Sequence, residues 1–184
     1  MVKNILTLLL VLGLASTAGA ALQISVNGEL NPGNDIMIGV DGTAVIGIWT
    51  DADIVNNDGF DYLVGVDAGL ARFDWSGATF STTPAINEIT RAWPGGALPD
   101  PPIGHEGFAG SVFNIGNTVA AGTLLVNNIL FQGIAEGNAV ITLYNTPDTG
   151  PLEIHDSVTI EVVPEPATLA LLGLGSLLLR RRRR

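Results

Sequence analysis

The 184-residue sequence contains no cysteine, a single lysine and only two histidines. Without cysteine the chain has no disulfide, no thiol nucleophile and no cysteine ligand for zinc, so its stability must come from a core or from bound metal. Aromatic residues make up 6% of the sequence and charged residues 14%, whereas hydrophobic residues make up 47%. This apolar content excludes an intrinsically disordered chain, and the lack of several long uncharged spans excludes a polytopic membrane protein.

Positive charge is almost absent from the middle of the chain. From Glu29 to Glu161 the only cations are Arg72 and Arg91, and they share that region with seventeen carboxylates, so its net charge is −15. Binding to phosphate backbones requires lysine and arginine, and the composition therefore excludes nucleic acid as a partner of the folded region.

Catalytic groups are scarce as well. His105 stands in Gly-His-Glu-Gly and His155 stands beside Asp156, and neither has the spacing of a metalloenzyme motif. A glycan-active enzyme would need two carboxylates that converge in a cleft, and it ranks third among the interpretations. We expect a protein that is not an enzyme.

The N-terminal residues have the pattern of an export signal. Lys3 supplies a positive start, Ile5–Leu14 an apolar helix, and Ala18 and Ala20 the small residues that signal peptidase accepts. We expect residues 1–20 to be a signal peptide removed after Ala20, with signal peptidase as a partner.

The region 21–163 is predicted to be one extracellular β-sandwich. Short β-branched and apolar runs are separated by Gly, Asn, Asp and Pro about every ten residues, which favours an all-β fold of about nine strands. The expected strands are 22–27, 35–40, 44–50, 60–67, 71–75, 109–115, 123–132, 139–144 and 158–163. The Gly- and Pro-rich stretch from Trp93 to Gly107 is expected to be a long irregular loop.

The C-terminal residues 164–184 combine three different features. Pro164, Glu165 and Pro166 interrupt any helix, so they should be extended and accessible. Residues 167–179 carry no charge and would form a helix of about 20 Å, a short transmembrane span. A basic cluster ends the chain and should stay cytoplasmic: Arg180, Arg181, Arg182, Arg183 and Arg184.

This order of Val-Pro-Glu-Pro, apolar helix and basic cluster resembles the PEP-CTERM sorting signal. The resemblance implies that the chain is a substrate of an exosortase, a membrane cysteine transpeptidase of exopolysaccharide-producing Gram-negative bacteria. Pro164, Glu165 and Pro166 would be the recognition residues. The alternative is a simple tail anchor with an incidental Pro-Glu-Pro.

A second resemblance covers about thirty residues of the sandwich. Gly122–Leu125 and Ile129–Leu143 are similar to the closing strands of cohesin-like, jelly-roll sandwiches, which often precede this sorting tail. The first half departs from that pattern, and no dockerin-binding face is identifiable.

One loop has the composition of a calcium site. Its oxygen-bearing side chains crowd around Gly59, and the candidate ligands are Asp51, Asp53, Asn57, Asp58 and Asp61. Calcium prefers several oxygen ligands on a flexible loop, although the fixed EF-hand positions are missing. The alternative is an Asp/Asn-rich loop that keeps its turns soluble.

The three tryptophans bear on carbohydrate binding. Trp49 ends an apolar strand and Trp75 alternates with Phe73, so both are expected in the core. Trp93 lies in the expected loop and is the candidate glycan-binding residue.

Together these features predict a structural or binding protein of the cell surface or extracellular matrix, held transiently in the inner membrane and sorted to its destination by its tail. Exopolysaccharide and other surface proteins are its expected partners besides exosortase. The runner-up is a secreted, calcium-stabilised carbohydrate-binding module.

Overall fold

The computed structural model describes residues 22–33, 36–93, 105–145 and 152–164. Within these ranges the chain contains strands, turns and bends, and no helix there is long and apolar enough to span a bilayer. The predicted signal helix and the predicted helix 167–179 lie outside the described residues. The described residues form twelve strands: β1 (Leu22–Val26), β2 (Glu29–Leu30), β3 (Met37–Gly39), β4 (Thr43–Thr50), β5 (Asp58–Asp67), β6 (Ala71–Asp74), β7 (Thr79–Phe80), β8 (Ile86–Trp93), β9 (His105–Asn114), β10 (Leu124–Gly133), β11 (Gly137–Asn145) and β12 (Glu153–Val163).

The strands form two sheets. The first has the order β2-β1-β4-β10-β6, with β7 also paired to β10, and the second has the order β3-β12-β11-β5-β9-β8. Among the strands of the described residues, only β3 and β12 pair in parallel, and the other pairs are antiparallel. The predicted all-β fold is confirmed.

The core lies between the two sheets and follows from the alternation of residues along each strand. In β12, Val158, Ile160 and Val162 are buried, because successive side chains of a strand point to opposite faces. From the first sheet, Phe73 and Phe131 meet edge to face with centroids 5.9 Å apart. Burying each large apolar side chain stabilises the fold by about 1.5–3 kcal/mol. The largest fully buried side chains are Tyr62, Phe108, Phe131, Leu22, Ile24, Ile46, Ile48, Ile54, Leu63, Leu125, Ile129 and Ile141.

Each of the nine expected strands coincides with an observed one, and three more are present among the described residues. These are the two-residue strands β2 and β7 and the eight-residue edge strand β8. The expectation of an irregular loop from Trp93 to Gly107 is wrong at both ends, because Trp93 of β8 pairs with Gly107 of β9. The residues between β8 and β9, 94–104, lie outside the described residues.

A carboxylate joins the two sheets near their edges. The backbone N–H of Ile24 in β1 donates a hydrogen bond of 2.7 Å to Asp156 Oδ2 in β12. Because β2 is short and pairs only with the end of β1, Asp156 satisfies a backbone group that the first sheet leaves open.

Candidate functional site

The C-terminal tail follows the sandwich without a spacer. Val162 is buried in β12, and the Val163 carbonyl accepts a hydrogen bond of 2.9 Å from Val40 N–H. Pro164 is exposed and lies just beyond the strand. The remaining tail residues predicted from the sequence lie outside the described residues: Glu165, Pro166, the apolar segment 167–179 and the cluster Arg180–Arg184. The signal-cleavage residues Ala18 and Ala20 lie outside them too. The folded domain is therefore held in place up to the residue before the Pro-Glu-Pro sequence.

The Asp- and Asn-rich loop after β4 is held against the β9–β10 connection. Ile54 and Val119 exchange backbone hydrogen bonds of 2.9 and 3.0 Å. The buried Asn114 amide donates to the carbonyls of Ile54, Val55 and Asn117 at 2.9, 3.1 and 2.9 Å. This buried amide, which sequence reasoning missed, fixes the shape of the loop. No pattern in the sequence distinguishes it from an ordinary strand-end asparagine.

The candidate calcium ligands already serve as acceptors within the protein. Asp53 Oδ1 accepts from Ala121 N–H at 2.8 Å. Asp58 Oδ1 accepts from Gly59 N–H at 2.9 Å, and Asp61 Oδ1 accepts from the Ser111 hydroxyl at 2.6 Å. Asn57 adopts a positive φ of 61° in the turn before β5. These contacts are typical of carboxylates that stabilise turns and strand ends.

These carboxylates are not gathered into one group. Among the described residues, no three His, Asp or Glu side chains are arranged to hold a metal ion. Asp51 instead lies close enough to His155 to favour its charged form. Half-burial lowers the pKa of His155, and the charges of Asp51, Glu153 and Asp156 oppose that shift. The calcium site stays a prediction.

The two histidines cannot act together. His105 begins β9 and His155 lies in β12, and two strands, β11 and β5, separate β9 from β12. At about 4.8 Å between neighbouring strands, their backbones are about 14 Å apart.

The tryptophans take three different positions. Trp49 is partly exposed on the outer face of the first sheet, where its Nε1–H donates to Ser25 Oγ at 2.8 Å, so its expected place in the core is wrong. Trp75 follows β6 and packs partly buried against Phe108 of the core, with ring centroids 5.5 Å apart. Trp93 is the last residue of an edge strand rather than part of a loop.

A groove that the sequence did not reveal lies beside Trp75. It is an open cavity of about 410 Å³ where the end of β6 meets β10, and its lining residues are Arg72, Phe73, Asp74, Trp75, Ser76 and Gln132. Five of these residues are consecutive, in β6 and the turn after it, and only the pairing of β6 with β10 brings Gln132 to them.

Among solved structures the chain is similar to a cohesin module from a Clostridium perfringens ATCC13124 family 33 glycoside hydrolase, at 12% identity and a TM-score of 0.35. The match covers 79% of this chain and 99% of that module. No curated protein matches the chain.

Comparison with protein families matches residues 162–184 to the PEP-CTERM protein-sorting motif. The match begins at buried Val162 of β12, so the motif overlaps the last strand of the sandwich by two residues. The protein carries a PEP-CTERM sorting motif at its C-terminus, with exosortase as the implied processing partner.

Proposed function

We propose that this protein is a non-catalytic structural or binding component of the cell surface or extracellular matrix, delivered there by cleavage of its C-terminal tail in the inner membrane. The observation that supports this most directly is the PEP-CTERM motif at residues 162–184, which indicates export and processing at the membrane. The exposed Pro164 directly after β12 supports it too, because a protease needs an extended segment that is not paired in a sheet.

The proposed domain division is a signal peptide at 1–20, the sandwich at 21–163 and the sorting signal at 164–184. In this arrangement the sandwich is the cargo and the tail is the substrate.

The sorting proposal is tested by Glu165→Ala in an exosortase-producing host. We expect the variant to accumulate uncleaved in the inner membrane, whereas the unsubstituted chain is shortened and leaves it. Cell fractionation and the mass of the C-terminal peptide measure both effects. The matched control is Glu161→Ala, which removes an exposed carboxylate four residues earlier in β12. Equal cleavage of the two variants would contradict the recognition of Glu165 by an exosortase. It would favour the alternative, in which the tail is a simple membrane anchor.

A second candidate function, carbohydrate binding, is favoured by the groove beside Trp75. Trp93 remains the candidate residue from the sequence, and the groove offers a separate site on the other sheet, so the two sites can be tested independently.

A further inference from the structure

The polar side of the groove is built on a fixed arginine. Arg72 and Gln132 are opposite each other on β6 and β10, and Arg72 Nε and Nη2 both donate to Gln132 Oε1, at 2.9 and 2.7 Å. The guanidinium group is thereby held in one orientation. Two of the five N–H groups of Arg72 donate to Gln132, so the other three can donate to a ligand.

An acceptor stands beside this donor. Hydrogen bonds from the Ser76 hydroxyl and backbone N–H, the latter of 2.9 Å, hold the pKa of Asp74 below its usual value, and the nearby charge of Arg72 adds to that effect. Asp74 is therefore ionised at neutral pH and balances the charge of Arg72. The groove thus presents a paired donor and acceptor with no net charge.

The apolar side of the groove is a tryptophan in a fixed position. Trp75 packs against Phe108 with an interplanar angle of 44°, and its carbonyl accepts the Ala78 N–H at 3.0 Å in the turn after β6. A ligand that lies on this ring does not have to order it, and the entropic cost of binding is correspondingly small.

We propose that this groove binds a segment of neutral polysaccharide. A partly exposed indole ring beside planar donors and acceptors suits a sugar, whose C–H face packs on an aromatic ring while its adjacent hydroxyls donate and accept hydrogen bonds. The groove is open rather than enclosed, so a polymer can pass through it. A polyanion is disfavoured because the region from Glu29 to Glu161 carries a net charge of −15.

This inference specifies the ligand of the proposed binding role, and it does not depend on tail processing. The test therefore uses the full-length chain purified in detergent. Affinity electrophoresis in gels containing hydroxyethylcellulose or galactomannan, two neutral polymers, measures binding, and alginate serves as the polyanion. We expect retardation by at least one neutral polymer that Arg72→Ala weakens, whereas Arg72→Ala should leave unchanged any retardation by alginate, which the cluster Arg180–Arg184 attracts by itself.

Substitutions locate the site. Arg72→Ala and Gln132→Ala remove side chains that lie outside the core, and each should weaken binding by about tenfold while the melting temperature stays close to that of the unsubstituted chain. Trp75→Ala should abolish binding. Because Trp75 contacts Phe108 of the core, Trp75→Phe is the accompanying variant that keeps an aromatic ring in this contact. Trp93→Ala is the matched control and should bind normally.

The indole N–H signals in an NMR titration give an independent measurement, since the chain has three tryptophans. The neutral polymer should shift the signal of Trp75 and leave those of Trp49 and Trp93 in place. No retardation by either neutral polymer would overturn the proposal. So would normal binding by Arg72→Ala, or loss of binding in Trp93→Ala with the Trp75 signal unmoved. None of these outcomes bears on sorting, which Glu165→Ala tests separately.

Discussion

The Tyr62 hydroxyl lies inside the core without a hydrogen-bond partner among the described residues. The ring packs over Gly110, directly opposite on β9, where a Cβ atom would overlap the hydroxyl end of the ring. A buried polar group without a partner costs about 1–3 kcal/mol. Burial also raises the pKa of Tyr62 above its ordinary value, because the phenolate would lose its solvation.

We therefore expect Tyr62→Phe to leave the free energy of unfolding at pH 7 unchanged or to raise it by about 1 kcal/mol, since the ring keeps its packing. The raised pKa adds a pH dependence. The contribution of Tyr62 to the free energy of unfolding is fully present below pH 10. It is lost as the pH rises above 10, because the tyrosine of the unfolded chain gives up its proton first. Denaturant unfolding at pH 7 and pH 10.5 should show a smaller alkaline loss in the Phe variant.

The control for this variant is Tyr62→Leu, which removes ring volume and should cost about 2–4 kcal/mol. A loss of more than about 1 kcal/mol in Tyr62→Phe would mean that the hydroxyl has a partner in the folded protein.

The strands β5 and β9 approach each other unusually closely around Gly107. A Cβ atom there would overlap the carbonyl oxygen of Val64 and lie 2.9 Å from the Gly65 Cα. Both obstacles are backbone atoms within a strand pair of ten residues, so they cannot move aside as a flexible side chain would.

Gly107→Ala should consequently lower the free energy of unfolding by about 3 kcal/mol or more, because the two strands must separate to admit the methyl group. Thermal melts measure the effect. Gly39→Ala is the matched control on strand β3, where a Cβ atom would meet nothing within 4 Å, and it should be nearly neutral. Similar losses in both variants would show that the cost is not the contact with β5.

The strands that the sequence predicted are those with a strong apolar alternation, such as β12 with Val158, Ile160 and Val162. The three missed strands lack this signal for physical reasons. β2 and β7 have two residues each, too few to show a period. β8 is an edge strand, and Asn87 and Glu88 separate its two isoleucines, so neither face is continuously apolar.

The candidate sites were predictable only where their residues are adjacent in sequence. The tail motif is contiguous, and its PEP-CTERM assignment follows from the sequence and agrees with the family match. The groove combines Arg72 and Trp75 with Gln132, about sixty residues away, which only the β6–β10 register brings together. Conversely, the carboxylates near Gly59 are close in sequence, but the fold directs Asp53 and Asp61 to different partners, Ala121 and Ser111.

For the whole molecule the dominant electrostatic fact is the imbalance of charge between Lys3 and Arg180. The seventeen carboxylates from Glu29 to Glu161, which only two arginines offset, repel one another in the compact state and much less in the expanded unfolded chain. We expect the melting temperature of the full-length protein to rise by roughly 5 °C between 20 and 300 mM NaCl, because salt screens this repulsion.

Calcium and magnesium distinguish such screening from a specific site. Asp53, Asp58 and Asp61 already accept hydrogen bonds from the protein, so we expect 5 mM CaCl₂ and 5 mM MgCl₂ to raise the melting temperature equally at 300 mM NaCl. A specific calcium site would behave differently, since a ligand that binds the folded state raises the midpoint according to its own affinity. A rise of several degrees with calcium but not with magnesium would establish the metal site that the sequence suggests, provided that Asp53→Asn lowers the melting temperature in calcium to the value seen with magnesium. It would also mean that Asp53 exchanges its hydrogen bond with Ala121 for the ion.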